Sequence, residues 1–253
     1  MPGFHNTGQP PQGSRTDDRA RFTRQPLYAL KRRSRSVRVL VREVGGGEAL
    51  EREPSVGRDY AQVRARPPGR AFGEGDTGVS AKALAILEAA GAAEIEHPGG
   101  TLLAHLGRVS ALLASWDCRP ALVSAGLCHA FYGTDGFPVA LLDLERRAEL
   151  VDAIGAEAEA LVYFYASCDR DASYPRLAED TGPFIDRFTG TRLTPGHEAR
   201  RDFAELTAAN ELDIAAVSPD ARARYGPRLL DLLTRWRPLL SEPAWAHCRS
   251  VLG

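Results

Sequence analysis

Apolar residues recur at spacings of three, four and seven through most of residues 80–253, and this periodicity predicts amphipathic helices. Polar side chains fall on the apolar face of three of these helices: His105, His129, and the pair Asn210 and Asp213. A buried polar side chain costs free energy unless it is hydrogen-bonded or binds something. We therefore expect the three helices to turn these groups toward one shared pocket inside an all-α bundle.

Short connections separate the predicted helices, as in a compact helical domain. Ser80 can cap the first helix, and Gly91 can end it. The expected helices are residues 80–91, 101–116, 119–131, 142–155, 156–169, 198–217, 227–240 and 242–253, with a looser stretch over 170–196.

Residues 1–79 differ in composition from the rest of the chain. They hold 15 Arg and Lys against 9 Asp and Glu, a balance of +6, and they are rich in Gly, Pro and Ser. Such a segment buries too little apolar surface to offset the entropy of ordering, so we expect a poorly ordered basic extension. Residues 36–44 alternate like a short strand, and the basic run 31–38 lacks the interleaved aromatics of a nucleic-acid platform. The folded domain is expected to span 80–253.

The overall composition sets outer bounds on the class of protein. A net charge of -1 and a hydrophobic fraction of 43% are ordinary for a globular protein. There is no run of about eighteen apolar residues, so we expect no membrane span. The N-terminus lacks the apolar core of a secretory signal, and the four cysteines form no CxxC pair. These features predict a cytoplasmic protein without a disulfide framework or a cysteine zinc site, and Cys128 is expected to be a buried small hydrophobe.

Three motifs, in this order along the chain, resemble the HD superfamily of metal-dependent phosphohydrolases. TLLAHLGRVSALL is similar to the segment with the first histidine, here His105, and AGLCHA to the helix with the His-Asp pair, here His129 and Ala130. TAANELD is similar to the late helix with the final aspartate, here Asn210. The chain more closely resembles an uncharacterised HD-like family in four segments, HPGGTLLAHL, AGLCHAFYGTDGF, AEALVYF and ANELD. The resemblance implies a helical bundle whose histidines hold a divalent ion, such as manganese, iron or zinc.

Two departures from the HD pattern bear on that expectation. Ala130 and Asn210 stand where the superfamily has aspartates, so two carboxylates that would neutralise the ion are missing. A rearranged site could use another carboxylate. Asp213 lies one helical turn from Asn210, and Asp135 lies in the YGTDGF turn. These two aspartates are therefore the candidate catalytic bases, and His105 and His129 are the candidate metal ligands.

Three further side chains are candidates for ligand binding, each with a purely structural alternative. Asn210 could hydrogen-bond a ligand, and Arg170 could grip an anion or form an ion pair at a helix end. Tyr132 belongs to a group of aromatics that could line a cavity or simply pack in the core: Phe131, Tyr132, Phe137, Tyr163, Phe164 and Tyr165. A single inward histidine is also more often a satisfied core residue than a ligand.

Two functions from different classes fit these observations. The first is a divergent, metal-assisted hydrolase of a small phosphorylated or nucleotide-like substrate, in which His105 and His129 hold the ion. The second is a non-catalytic ligand-binding or regulatory module that retains the HD-like bundle with a degenerate metal site. A small-molecule ligand is expected in both cases, and a nucleic-acid partner in neither.

Overall fold

The computed structural model describes residues 76–253, which form an all-α domain and confirm the predicted fold class. Two short hairpins accompany the helices: β1 (Glu96–His97) pairs antiparallel with β2 (Gly100–Thr101), and β3 (Phe184–Ile185) with β4 (Arg192–Leu193). The helices are α1 (Asp76–Ala89), α2 (Leu102–Ser115), α3 (Pro120–Cys128), α4 (Arg147–Ile154), α5 (Ala156–Ala166), α6 (Arg170–Ser173), α7 (His197–Val217), α8 (Pro219–Arg235) and α9 (Glu242–Leu252). The predicted N-terminal extension, with its strand over 36–44 and basic run over 31–38, lies outside the described residues apart from the start of α1.

Local sequence accounts for where several helices begin. The side chains of Thr101, Ser218 and Ser241 cap α2, α8 and α9 by accepting hydrogen bonds from backbone amides in the first helical turn. Pro120 and Pro219 occupy the first position of α3 and α8, where the missing N–H costs nothing. No described helix is both long and apolar enough to cross a bilayer.

Helix α7 runs through the centre of the bundle and packs against α2, α3, α5, α8 and α9. Every residue from 202 to 215 is buried, so the helix has no solvent face over about four turns. The amphipathic pattern predicted one buried stripe instead. The difference arises because α7 carries small residues on several sides, among them Ala204, Ala208 and Ala209, which allow neighbouring helices to approach all around it. Its polar side chains must therefore be satisfied inside the protein.

Several predicted helix boundaries differ from the structure. Helix α1 begins at Asp76 rather than Ser80, and it buries Leu87 while Leu84 is exposed. Helix α3 ends at Cys128, three residues before the predicted end, because the chain turns at His129. The stretch 170–196 holds α6, a 3₁₀ turn and the β3–β4 hairpin. Helix α8 starts at Pro219 and accommodates Pro227 inside it.

The close packing of α2 against α3 brings the two histidine-bearing segments together. Gly126 sits at this contact, and a Cβ atom there would lie 2.5 Å from Leu113 Cδ1 of α2. Glycine therefore allows the two helix backbones to approach at the last turn of α3. That turn precedes His129, which consequently faces His105, with 5.4 Å between the two ring centroids.

Candidate functional site

A cavity of about 60 Å³ lies between α2, the end of α3 and α7, next to the β1–β2 hairpin. Its volume corresponds to about two water molecules at their liquid volume of about 30 Å³ each. The polar and charged residues that line it are Glu96, His97, His105, His129, Thr134, Arg170, Asn210 and Glu211. The cavity thus collects polar groups from three helices, the β1 strand and the start of α6.

His105 is held by hydrogen bonds at both ring nitrogens. Its Nδ1 donates to Asp213 Oδ2 over 2.7 Å, and its Nε2 lies 3.0 Å from Asn210 Oδ1. The orientation of the Asn210 amide follows from its nitrogen, which donates to Glu211 Oε1 over 3.1 Å. Both nitrogens of His105 therefore face acceptor oxygens, an arrangement that a protonated imidazole satisfies.

Asp213 lies behind His105 and is not part of the cavity wall. Its two oxygens accept hydrogen bonds from Arg108 Nε (2.7 Å) and Arg108 Nη2 (2.9 Å), in addition to the bond from His105. Burial raises the pKa of Asp213, but the hydrogen bonds and charges of His105 and Arg108 outweigh burial and lower this pKa overall. The carboxylate orients His105, and neither oxygen is left to act on a molecule in the cavity.

His129 is neutral and has one fixed tautomer. Its Nδ1 donates to the carbonyl of Gly126 over 2.8 Å, so Nε2 carries the lone pair. Burial lowers the pKa of His129 to about 3, and the charge of His105 acts in the same direction. The ring packs edge-on against Tyr165 as well as His105. His129 is therefore a hydrogen-bond acceptor on the cavity wall at neutral pH.

Arg170 and Glu211 form an ion pair at the cavity. Arg170 Nη1 donates to Glu211 Oε1 over 3.4 Å, a long contact, and the guanidinium also lies over the Tyr174 ring. Glu211 is 2% exposed, and its Oε2 is buried without a hydrogen-bond partner. Burial raises the pKa of Glu211, while the nearby Arg170 and His105 charges oppose this. The pair places an acceptor and several donors side by side.

His97, from β1, also belongs to the polar part of the wall. Its ring stacks on His105 with 4.1 Å between centroids, and its Nδ1 is buried without a partner. Burial and the charge of His105 lower the pKa of His97 to about 4, so it is neutral at pH 7. Phe137, in the turn after α3, packs edge-on against the same ring.

The structure brings four of the sequence-predicted residues together and a fifth, Arg170, onto the same cavity, but two others lie elsewhere. The Tyr132 hydroxyl donates to Glu159 Oε1 over 2.8 Å, beside a part-buried ion pair between Glu159 and Arg147. Asp135 is exposed, and its carboxylate accepts a hydrogen bond from the backbone amide of Arg170 at the start of α6. Tyr132 thus stabilises the core, and Asp135 holds α6 in place from outside the cavity. The four that meet are His105, His129, Asn210 and Asp213.

Sequence reasoning missed two residues that shape this site. Glu211 was not considered because a one-sided pattern would put it on the solvent face of α7, whereas that helix is buried all around. Arg108, which neutralises Asp213, follows His105 by three positions and therefore lies on the same side of α2. This three-residue spacing was the sequence signal that could have identified Arg108 as a neighbour of the site. His97, which lies ahead of α2, is likewise absent from the predicted site residues.

A divalent ion does not fit the side chains as they are arranged. His105 Nε2 is engaged by Asn210, and both oxygens of Asp213 are occupied. Ala130 lines the cavity where the HD pattern has a carboxylate. Across residues 76–253, no group of three or more His, Cys, Asp and Glu side chains is placed so that it could hold a metal ion. A double charge here would remain largely uncompensated in a buried site.

Replacing Asp213 with asparagine should lower the free energy of unfolding by about 2–3 kcal/mol. Breaking a fully buried pair costs about 3–5 kcal/mol, and the partial exposure of Arg108 reduces that figure. Urea unfolding at pH 7 measures the loss. Asp231→Asn is the matched control, because Asp231 pairs with Arg235 on the surface of α8 and should change stability by less than about 0.5 kcal/mol. Equal effects of the two substitutions would contradict the buried role of Asp213.

Comparison with known families adds one finding. The family described as a domain of unknown function (DUF6817) matches residues 86–170. This range includes α2 to α5, and so His105 and His129, but ends before α7. No curated protein and no solved structure matches the chain. Over 86–170 the chain is therefore similar to an uncharacterised family, as predicted, while the relationship to the HD superfamily stays a prediction.

Proposed function

We propose that the protein is a small-molecule-binding module in which an HD-like bundle holds its ligand in the pocket beside His105, without a catalytic metal ion. One observation carries the proposal. Ala130 and Asn210 replace the two aspartates of the HD pattern, and both ring nitrogens of His105 are engaged within the protein. Glu211 Oε2 and His97 Nδ1, in contrast, lack partners. Unpartnered buried polar atoms beside a cavity are satisfied by a bound molecule or by water.

The order of the HD-like motifs supports a ligand pocket at this place in the bundle. It does not by itself support hydrolytic activity. His105, His129 and Asn210 meet at one cavity, as the superfamily pattern implies for its own site residues. The losses at Ala130 and Asn210 remove the charges that metal chemistry needs, yet they leave the enclosed space intact. A shared fold can persist after its chemistry has changed.

A metal-assisted hydrolase of a small phosphorylated or nucleotide-like substrate is the second candidate, and a specific observation favours it. The Nδ1 atoms of His105 and His129 each donate to an oxygen behind the ring, namely Asp213 and the Gly126 carbonyl. Histidines that bind metals are commonly supported in this way. Against it stands the engagement of His105 Nε2 by Asn210.

Metal titration of the full-length, chelator-treated protein tests the choice between these functions. We expect manganese, iron(II) and zinc at micromolar concentrations to give no stoichiometric binding in calorimetry and no hydrolysis of bis(p-nitrophenyl) phosphate. His105→Ala is the matched variant, since any binding through the pocket must depend on it. One equivalent of bound metal that disappears in His105→Ala, together with phosphoester hydrolysis, would establish the hydrolase instead.

A further inference from the structure

We infer that the pocket binds an uncharged ligand that carries a hydrogen-bond donor next to an acceptor, as a carboxamide or a cyclic amide does. The inference rests on the proposed function, because it concerns the same pocket and adds the chemical class of the ligand. The pairing of Glu211 with Arg170 on the cavity wall is its basis.

The donor on the ligand follows from Glu211. Its Oε1 already accepts hydrogen bonds from Asn210 and Arg170, whereas Oε2 is buried with no partner. A carboxylate can only accept hydrogen bonds, so the group that satisfies Oε2 must present an N–H or O–H. Leaving a charged oxygen unsatisfied in a buried site is costly, and this cost favours a ligand with a donor at that point.

The acceptor on the ligand follows from Arg170. Its guanidinium has five N–H donors, and among residues 76–253 its side chain makes one hydrogen bond, the 3.4 Å contact with Glu211. The guanidinium lies against the turn at Gly136, where a Cβ atom would come within 2.9 Å of Nη1. The glycine therefore leaves room for Arg170 at the cavity, with donors available beside the Glu211 acceptor.

The two opposite charges also select against charged ligands. A phosphate or carboxylate placed near Arg170 would set its oxygens against the unpaired oxygen of Glu211, and an ammonium or amidinium near Glu211 would face Arg170. Either ion would bring its own charge next to the Arg170–Glu211 pair, whose two charges already cancel each other. A neutral amide meets both partners with its N–H and its C=O, without adding charge.

The rest of the wall indicates a compact ligand with an apolar side. Leu102, Phe137 and Ile214 line the cavity together with the polar groups. Pockets of this kind use a few polar contacts to orient a ligand whose other atoms pack against apolar side chains. The volume of about 60 Å³ admits only a small fragment, or one end of a larger molecule.

An isosteric series of four-heavy-atom fragments tests the inference on the unmodified, full-length protein. Acetamide, acetate and acetamidinium have the same shape and differ in charge and in hydrogen-bond pattern, and inorganic phosphate serves as a fourth probe. Titrations followed by ¹H–¹⁵N NMR at about pH 8 report binding at the backbone amides of Gly136, Arg170 and Glu211. Acetamide should bind with a Kd in about the millimolar range, about tenfold or more tighter than the three ions.

Glu211→Gln tests the role of the unpartnered oxygen. The substitution preserves shape but replaces an acceptor with a donor, so acetamide should bind about tenfold more weakly and lose its preference over acetate. Glu94→Gln makes the same change at an exposed position and should leave the ranking as in the wild type. The wild-type ranking stands by itself as a test if Glu211→Gln does not fold.

The possible outcomes separate this inference from the function on which it rests. Tighter binding of acetate, acetamidinium or phosphate with shifts at the same amides would overturn the inference and leave pocket binding in place. Absence of shifts at these amides with all four probes at about 100 mM, two decades above the expected Kd, would also overturn it. The proposed function itself is decided separately, by the metal titration with its His105→Ala control.

Discussion

The double substitution Ala130→Asp and Asn210→Asp should convert the pocket into a divalent-metal site, with affinity for manganese about a thousandfold higher than in the wild type. Ala130 lines the cavity directly after His129, so an aspartate there would bring its carboxylate to the cavity. Asn210 sits 3.0 Å from His105 Nε2, and an aspartate there would supply the second negative charge. Two added carboxylates compensate the charge of the ion, an effect of several kcal/mol in a buried site.

Calorimetry and metal-dependent thermal unfolding measure the gain. Without metal, the new carboxylate at position 210 would lie beside Glu211 and repel it, so the apo double variant should be less stable than the wild type and should recover on metal addition. Ala130→Asn alone is the control, because it adds the same bulk without charge. If the double variant binds manganese no better than this control, the cavity does not correspond to the HD metal site.

The helical periodicity was sufficient to predict the fold class and the meeting of His105, His129 and Asn210. Each of these residues lies on a buried face whose spacing is visible in the sequence, and the structure places them at one cavity. Periodicity reports only which face of a helix is buried. It therefore predicts that inward polar groups can meet, and it does not predict which partner each one takes.

The contacts of Asp213 show this limit. Its helical phase placed it beside Asn210, as expected, but its carboxylate turns to Arg108 and to the rear of His105 rather than to the cavity. The choice depends on side-chain directions across α2 and α7, which sequence spacing does not contain. Asp135 differs for a related reason: the turn after α3 directs it to the backbone of α6.

Glu211 was missed because a helix in the centre of a bundle does not show the amphipathic pattern of a surface helix. Seven polar or charged side chains of α7 are buried, among them Asp202, Glu205 and Glu211, and each needs an internal partner. Asp202 is paired by Arg119, and Glu205 accepts a hydrogen bond from the amide of Ser241. Only Glu211 among these three retains an oxygen without a partner, and that oxygen belongs to a residue on the cavity wall.

Lowering the pH from 7 to 4 should destabilise the protein through the buried, neutral His129. Its pKa is about 3 in the folded state, below the 6.5 of an unfolded chain, so between these values the unfolded chain binds one proton more. The contribution of neutral His129 to the free energy of unfolding is therefore fully present above pH 6.5, and it is lost as the pH falls toward 3. The loss amounts to about 1.4 kcal/mol per pH unit, or up to about 3 kcal/mol by pH 4 and 5 kcal/mol by pH 3.

Comparison of wild type with His129→Gln isolates this contribution, since other groups titrate in the same range. The lowered pKa of His97 acts in the same direction as that of His129, and the raised pKa of Glu211 acts in the opposite direction. Both remain in the variant, so the difference between the two curves of unfolding free energy against pH belongs to His129. Urea unfolding between pH 7 and 4 should give a slope smaller by about 1.4 kcal/mol per pH unit in the variant, with His197→Gln as a control at an exposed histidine. Parallel curves for wild type and His129→Gln would mean that His129 takes up its proton in the folded protein and is not kept neutral by burial.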